Sequence, residues 1–187
     1  MKSGLRREML RKRGMLAEPE WIEKSRAIQR RLMDSGFYRD ASAILFYCHF
    51  DREVRTDMLI RDALDRGKTV CVPFNDWARE TLIPSRIYSE KDMDGSKKIP
   101  QPFMLKEFPI EKIEIAVIPG VVLDVHGNRI GMGRGFFDRF LEKCGNRVLK
   151  VSIAFDFQVI GEELPVDAWD RKVDVILTEK REIVIPR

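Results

Sequence analysis

Residues 127 to 141, GNRIGMGRGFFDRFL, gather four glycines, three arginines and an aspartate into fifteen positions. Glycines at 131, 133 and 135 alternate with other residues. Such a backbone can take positive φ and approach a ligand closely where a Cβ would obstruct. Successive amides in a turn of this kind converge on a concavity suited to an anion. Phe136, Phe137, Phe140 and Leu141 predict a short helix over 136–144, whose first amides and positive dipole end would face the same anion. Arg129 and Arg134 add charge of the sign that phosphate oxygens require. Strand, glycine turn and helix start are together the parts of a phosphate-binding loop. A turn that merely reverses the chain would use the same glycines, but the flanking arginines and Asp138 favour the phosphate. Neither common phosphate loop is present: Phe136 occupies the last glycine of G-x-G-x-x-G, and G-K-[ST] is missing.

Asp138 has two readings. Carboxylates in a helix's first turn are favoured by the dipole alone. Beside a triphosphate, the same group is a hard oxygen ligand for Mg²⁺, which takes one or two carboxylates together with the phosphates. Asp170, in DAWDRKVDV, is a candidate second carboxylate or a turn residue. Other chemistries are poorly supplied. His49 and His126 are the only histidines, Cys48, Cys71 and Cys144 form no CxxC pair, and no G-x-S-x-G elbow exists.

The elements that must hold these residues alternate. Helices are predicted over 3–16, from near Pro19 to Asp34, over 56–67 with Thr56 as N-cap, and over 136–144. On the first, Leu5, Met9 and Leu16 share one stripe, with a basic stripe of Lys2, Arg6 and Arg13 beside it. Compact apolar runs at 41–50, 68–74, 114–124, 147–155 and 173–180 read as buried strands, the last of these closing the chain, and TLIPSRIYS adds a further candidate. Strands alternating with helices predict an α/β fold with a mostly parallel sheet covered on both faces. The 187 residues suit one domain, with no linker or repeat to divide them. A net charge of +4 suits a nucleic-acid binder or an enzyme of anionic substrates alike. The basic N-terminal run contains no aromatic platform, which argues against single-stranded nucleic acid. No apolar run of membrane-spanning length and no secretory signal pattern occur, so a cytoplasmic protein with no membrane partner is expected.

The stretch PGVVLDVHGNRIGMGRGFFDRFL (119–141) resembles the signature of the 5-formyltetrahydrofolate cyclo-ligase (methenyltetrahydrofolate synthetase) family. The likeness extends through Lys2 and Arg6, YCHFDREVRT (47–56), KKIPQP (97–102), SIAFDFQ (152–158) and LPVDAWDRKVDVILTE (164–179), in the family's order. It implies a three-layer α/β/α fold resembling the sugar-phosphate isomerase and CoA-transferase group. It also implies ATP- and Mg²⁺-dependent closure of 5-formyltetrahydrofolate to 5,10-methenyltetrahydrofolate, in a monomer.

By this resemblance Lys2, Arg6 and the segment Arg129, Ile130, Gly131, Met132, Gly133, Arg134, Gly135, Phe136 and Phe137 would hold ATP. Arg134 and Asp138 would be catalytic, and Asp138 and Asp170 would bind Mg²⁺. Glu53, Cys48 and the residues Met132 to Phe136 would face the folate, with the Glu53 carboxylate matching paired N–H donors of the 2-amino-4-oxo ring. Arg7, Arg11, Lys12 and Arg13 read as a solvated basic face. The chain departs from the family pattern at Phe136 and Phe137, where tyrosines are frequent, and at Lys98, Gln101, Arg134 and Trp169. A nucleic-acid module, or a nucleotide- or sugar-phosphate-binding paralogue without cyclo-ligase activity, are the competing readings. Glu53 discriminates against the second, because a generic phosphate site has no need of it.

Overall fold

The computed structural model describes residues 1–186. The chain opens with α1 (Lys2–Gly14) and α2 (Glu18–Asp34), the latter with proline and two glutamates in its first turn, followed by the short α3 (Gly36–Asp40). Strand β1 (Ala43–Phe46), helix α4 (Asp57–Asp65), and strands β2 (Thr69–Asp76) and β3 (Thr81–Ile87) come next. A small pair, β4 (Met93–Asp94) and β5 (Gln101–Pro102), precedes β6 (Ile115–Ile118), β7 (Val122–Asp124) and β8 (Arg129–Ile130). Helix α5 (Phe136–Cys144) and strands β9 (Leu149–Ile153), β10 (Val159–Ile160), β11 (Val175–Leu177) and β12 (Glu182–Val184) complete the described residues.

The main sheet has the order β12-β11-β9-β6-β1-β2-β3. Its five inner strands are parallel, and the antiparallel β3 and β12 close its edges. Strands β1 (AILF) and β6 (IAVI) are buried at every position, as a sheet covered on both faces requires. Alternate side chains divide between two cores. Ile44 and Phe46 pack with Ile28, Leu32, Leu59 and Ala63 from α2 and α4. Leu45 and Ala116 pack with Phe140, Leu141 and Cys144 from α5 on the other side. The fold is thus a three-layer α/β/α arrangement, as the alternation of elements predicts.

The chain runs from β1 to β2 on one side, then returns to place β6 on the other. Connections therefore diverge above the carboxyl ends of β1 and β6, and in open parallel sheets such a crevice is where ligands bind. A second sheet, β10-β7-β8, stands beyond it. Met9 of α1 packs there against Val121, Val122, Ile130 and Leu164, fixing α1 over the crevice.

Three details differ from the sequence expectation. Strand β12 follows the expected last strand and pairs with it antiparallel. Strands β7, β8 and β10 are two or three residues long, too short for periodicity to register. Thr56 precedes α4 without a side-chain cap; its Oγ1 donates instead to the Tyr47 carbonyl at 3.0 Å, tying the loop after β1 to the sheet.

Gly127 turns the chain from β7 into β8 at φ +84°, and a Cβ there would lie 2.6 Å from the Val173 carbonyl oxygen. Gly67 has a similar φ of +71° with open space around it. Gly67→Ala should therefore lose only the left-handed conformational preference, about 1–2 kcal/mol. Gly127→Ala should lose clearly more, because the backbone must also move. Urea unfolding of the two variants measures both; equal losses would show that the contact with Val173 is inconsequential.

Candidate active site

A cavity of about 780 Å³ opens over the carboxyl ends of β1 and β6, within the range of ligand-binding clefts, about 300–1,000 Å³. Tyr47, Cys48 and Glu53 enter it from the loop after β1, and Pro119, Gly120 and Val121 from the turn after β6. The glycine turn, the first residues of α5, Lys2 and Arg6 of α1, and the segment around Asp170 complete the wall.

The glycine turn is unfilled. Gly133 and Gly135 have φ of +99° and +68°, and Gly135 is the N-cap of α5 with no side chain capping the helix. Among the described residues, no acceptor takes a hydrogen bond from the backbone amides of residues 131 to 137. The carbonyls, by contrast, are clamped. Arg6 Nε donates to the Gly131 oxygen at 2.7 Å, and Arg139 Nη2 donates to the Arg134 oxygen at 2.6 Å. In a trans peptide C=O and N–H point in opposite directions. Each clamp therefore aims the next amide, of Met132 and of Gly135, away from the clamping side chain. Arg139 also donates to the Glu80 carbonyl at 2.6 Å, securing the turn between β2 and β3 against α5. On that turn Trp77 lies under the Arg134 guanidinium, 5.3 Å from ring centre to Cζ, and edge-on to Phe136 at 5.3 Å.

Cations and carboxylates are paired across the cleft. Arg129, buried, donates from Nη2 to Asp138 Oδ1 at 2.8 Å, and the Arg171 amide reaches the same oxygen at 3.2 Å. Lys2 donates to Asp167 at 2.6 Å and to Asp170 Oδ2. Burial alone would raise the Asp170 carboxyl, but the Asp167 amide, Lys2 and Arg129 together hold it below the usual carboxylate range. The two carboxylates singled out in sequence thus border one cavity, each held by a cation also singled out. Arg129 Nε finds no partner among the described residues.

At the other end stands Glu53, 6% exposed. Its loop is pinned from several sides: Trp21 Nε1 donates to the Glu53 carbonyl at 2.7 Å, the Tyr47 hydroxyl to the Val54 carbonyl at 2.7 Å, and the Phe50 amide to Glu53 Oε2 at 3.2 Å. Burial pushes the Glu53 carboxyl up to about 7 against the opposing pull of Arg13 and the Phe50 amide. The Cys48 thiol is pushed up to about 12, first by burial and then by Glu53. It is a neutral wall of the cleft and no nucleophile.

Every residue expected at the site borders the cavity, with different exposures. Ile130 is buried beneath the turn, while Met132 is exposed. Phe137 is wedged between the two cores beside the opening. Of the departures in the 97–102 segment, Lys98 borders the cavity and Gln101 pairs in the β4–β5 ribbon instead. One expectation is corrected. Arg13 belongs to no solvated face: it is 1% exposed, with Nη1 3.9 Å from Glu53 Oε1. Arg13 continues the stripe of Leu5 and Met9 at steps of four, and that spacing was the available signal. Trp77 and Glu80 carry no motif and come to the site through the β2–β3 hairpin alone, held there by Arg139 of α5.

Fold and cleft define an α/β enzyme with its cleft beyond the ends of parallel strands and a turn of unengaged amides at one side. The sequence profile of the 5-formyltetrahydrofolate cyclo-ligase family matches residues 1–179, and the chain belongs to that family. It is 26% identical to the mouse (Mus musculus) 5-formyltetrahydrofolate cyclo-ligase over 95% of this chain and 93% of that one. The Escherichia coli K12 cyclo-ligase is 27% identical over 92% and 98% of the two chains. The solved structure of Aquifex aeolicus 5,10-methenyltetrahydrofolate synthetase superposes with a TM-score of 0.86 at 32% identity, covering 100% of this chain and 93% of that one.

A Cβ on Gly133 would sit 3.3 Å from the Arg6 Cζ, on a backbone that disfavours side chains. Gly133→Ala should displace Arg6 and weaken binding of inorganic triphosphate about tenfold or more, since hydrogen bonds to charged groups contribute about 1.5–3 kcal/mol. Isothermal calorimetry reads this directly. Unchanged affinity would mean that the turn does not receive the anion.

Proposed function

We propose that the chain closes 5-formyltetrahydrofolate to 5,10-methenyltetrahydrofolate, coupled to cleavage of ATP to ADP and phosphate. The observation that carries this reading is that one cavity joins a turn of unengaged amides to a buried carboxylate, Glu53. The turn suits the triphosphate, and the carboxylate suits the paired N–H donors of the pterin. The mouse and E. coli relatives are cyclo-ligases of 5-formyltetrahydrofolate by name, which supports the same substrate here. Every residue the reading uses comes from one chain, so a monomer suffices.

The reaction needs no protein nucleophile. The formyl oxygen attacks the γ-phosphorus, the bond to ADP breaks, and an imidate-like phosphate forms. N10 of the same folate attacks the activated carbon, loses its proton, and phosphate departs with the former formyl oxygen. The protein's part is alignment and charge. Amides of the glycine turn, Arg6 and Lys2 receive the triphosphate, and Arg134, at the cavity wall over Trp77, faces the charge that shifts during transfer. Arg6 uses only Nε within the protein, leaving Nη1 and Nη2 without acceptors among the described residues.

Asp138 and Asp170 fit the demands of Mg²⁺. Asp138 Oδ2 and Asp170 Oδ1 accept no hydrogen bond among the described residues. No cluster of three or more metal-type side chains exists among those residues, so the metal would share its coordination with the phosphates, as Mg²⁺ commonly does. Bound there, Mg²⁺ would neutralise charge on the triphosphate. In the free protein Lys2 and Arg129 neutralise these carboxylates instead, and an arriving triphosphate competes for both cations.

Purified protein with Mg-ATP and 5-formyltetrahydrofolate should generate the near-ultraviolet absorbance of the methenyl product. Absence of product together with absence of ATP binding would overturn the reading. Asp138→Asn, which keeps its shape, should lower turnover by about a hundredfold, the scale on which loss of one group stabilising transferred charge acts. Full activity in that variant would remove Asp138 from the metal site.

A further inference from the structure

Arg13 is the most completely buried cationic side chain of the described residues, at 1% exposure, and it borders no part of the cavity. Its Nε and Nη2 have no hydrogen-bond partner among them. A buried guanidinium in that state is costly to fold around, so packing gives no account of its presence. Two carboxylates stand near it: Glu53 Oε1 at 3.9 Å from Nη1, and Asp51 Oδ2 at 3.9 Å from Nη2. Asp51 is largely exposed and sits at φ +52°, on the turn that folds the loop back over α1. Glu53, by contrast, is buried and opens on the cavity.

We propose that Arg13 is a positioning residue for the folate end of the cleft, its charge holding Glu53 as an ionised acceptor that can take two N–H donors of the pterin. The inference rests on the reading that Glu53 receives that ring. At 3.9 Å the guanidinium is beyond hydrogen-bonding distance, so it supplies field without occupying the Glu53 oxygens. Oε2 takes the Phe50 amide, and Oε1 is left for the ligand. A protonated Glu53 would present a donor where an acceptor is required.

Of the other groups facing Glu53, the Phe50 amide favours the anion through its hydrogen bond to Oε2, and the rest oppose ionisation or leave it unaided. Asp51 repels a second negative charge, and burial alone disfavours the anion. Tyr47 and Cys48, from the end of β1, are both pushed upward by burial and by Glu53, so each stays neutral. Arg13 from α1 is the one cation that favours the carboxylate. With Glu53 up at about 7 even so, folate binding should already weaken as pH falls through neutrality. The sign follows from the competent form being the deprotonated one.

The test is a calorimetric titration of 5-formyltetrahydrofolate into wild type, Arg13→Met, Arg13→Lys and Glu53→Gln from pH 6 to pH 9, with ATP affinity measured alongside. In Arg13→Met the acid limb of folate affinity should move about one pH unit upward, giving about tenfold weaker binding at pH 6 and recovery by pH 9, with ATP affinity unchanged. Arg13→Lys should keep the limb near its wild-type position. A uniform loss at all pH values, or no loss, in Arg13→Met would overturn the proposal. If that variant does not fold, Arg13→Lys decides: a limb displaced by a full unit despite the retained charge overturns it, and an unmoved limb supports it. Undiminished folate affinity in Glu53→Gln would instead sink the reading of Glu53 itself. Weakened affinity in Glu53→Gln beside a wild-type profile in Arg13→Met would sink only the role of Arg13.

Discussion

The site depends on peptide groups whose two ends are treated differently. In the turn before α5 the carbonyls of Gly131 and Arg134 are held by arginines, while the amides from 131 to 137 are left unengaged within the described protein. Backbone amides removed from both water and acceptors are expensive, so a turn of this kind can exist only at the edge of an open cleft. The sheet provides that edge. Its connections part above β1 and β6, and the small β10-β7-β8 sheet carries the turn out over the gap. Catalytic geometry here is therefore a result of topology before it is a result of side chains.

Charge follows the same logic. The cleft carries cations that suit a triphosphate and must be neutralised in its absence. Pairing Arg129 with Asp138 and Lys2 with Asp170 resolves this, because each cation has a counterion that remains partly exposed and can be released. The opposite end has the reverse problem, a buried carboxylate that must stay charged. A distant guanidinium answers it without filling the acceptor's place.

Much of this was legible in the sequence because it depended on local pattern. The apolar runs of β1 and β6 announced a sheet covered on both faces, and the glycine stretch announced the anion turn. Asp138 and Asp170 are legible as carboxylates beside that stretch and Glu53 through motif resemblance, and all three border the cavity. What escaped depended on tertiary placement. Strands of two or three residues have no period to detect, and β12 exists because an exposed strand edge at β11 accepts a partner. Trp77 reaches the glycine turn only because the β2–β3 hairpin folds across α5. Arg13 reads as solvated only because basic residues cluster on α1 and mask its position in the stripe. The stripe was the better guide, since in a helix whose apolar face is buried, a charge on that face is buried with it.

Helix α1 brings Lys2 and Arg6 to the wall of the cavity beside the glycine turn and sets Arg13 behind the wall at the far end, next to Glu53. It is in effect a rigid ruler. Eleven residues at 1.5 Å each set a span of about 16 Å, and each residue added or removed would rotate one end about 100° relative to the other. Length variation between residues 2 and 13 would thus uncouple the two halves of the cleft even if every side chain were retained. Beyond Gly14 the chain answers to a second anchor, Trp21 of α2, whose indole donates to the Glu53 carbonyl. Drift in the length of this enzyme's first helix is consequently forbidden along the rod.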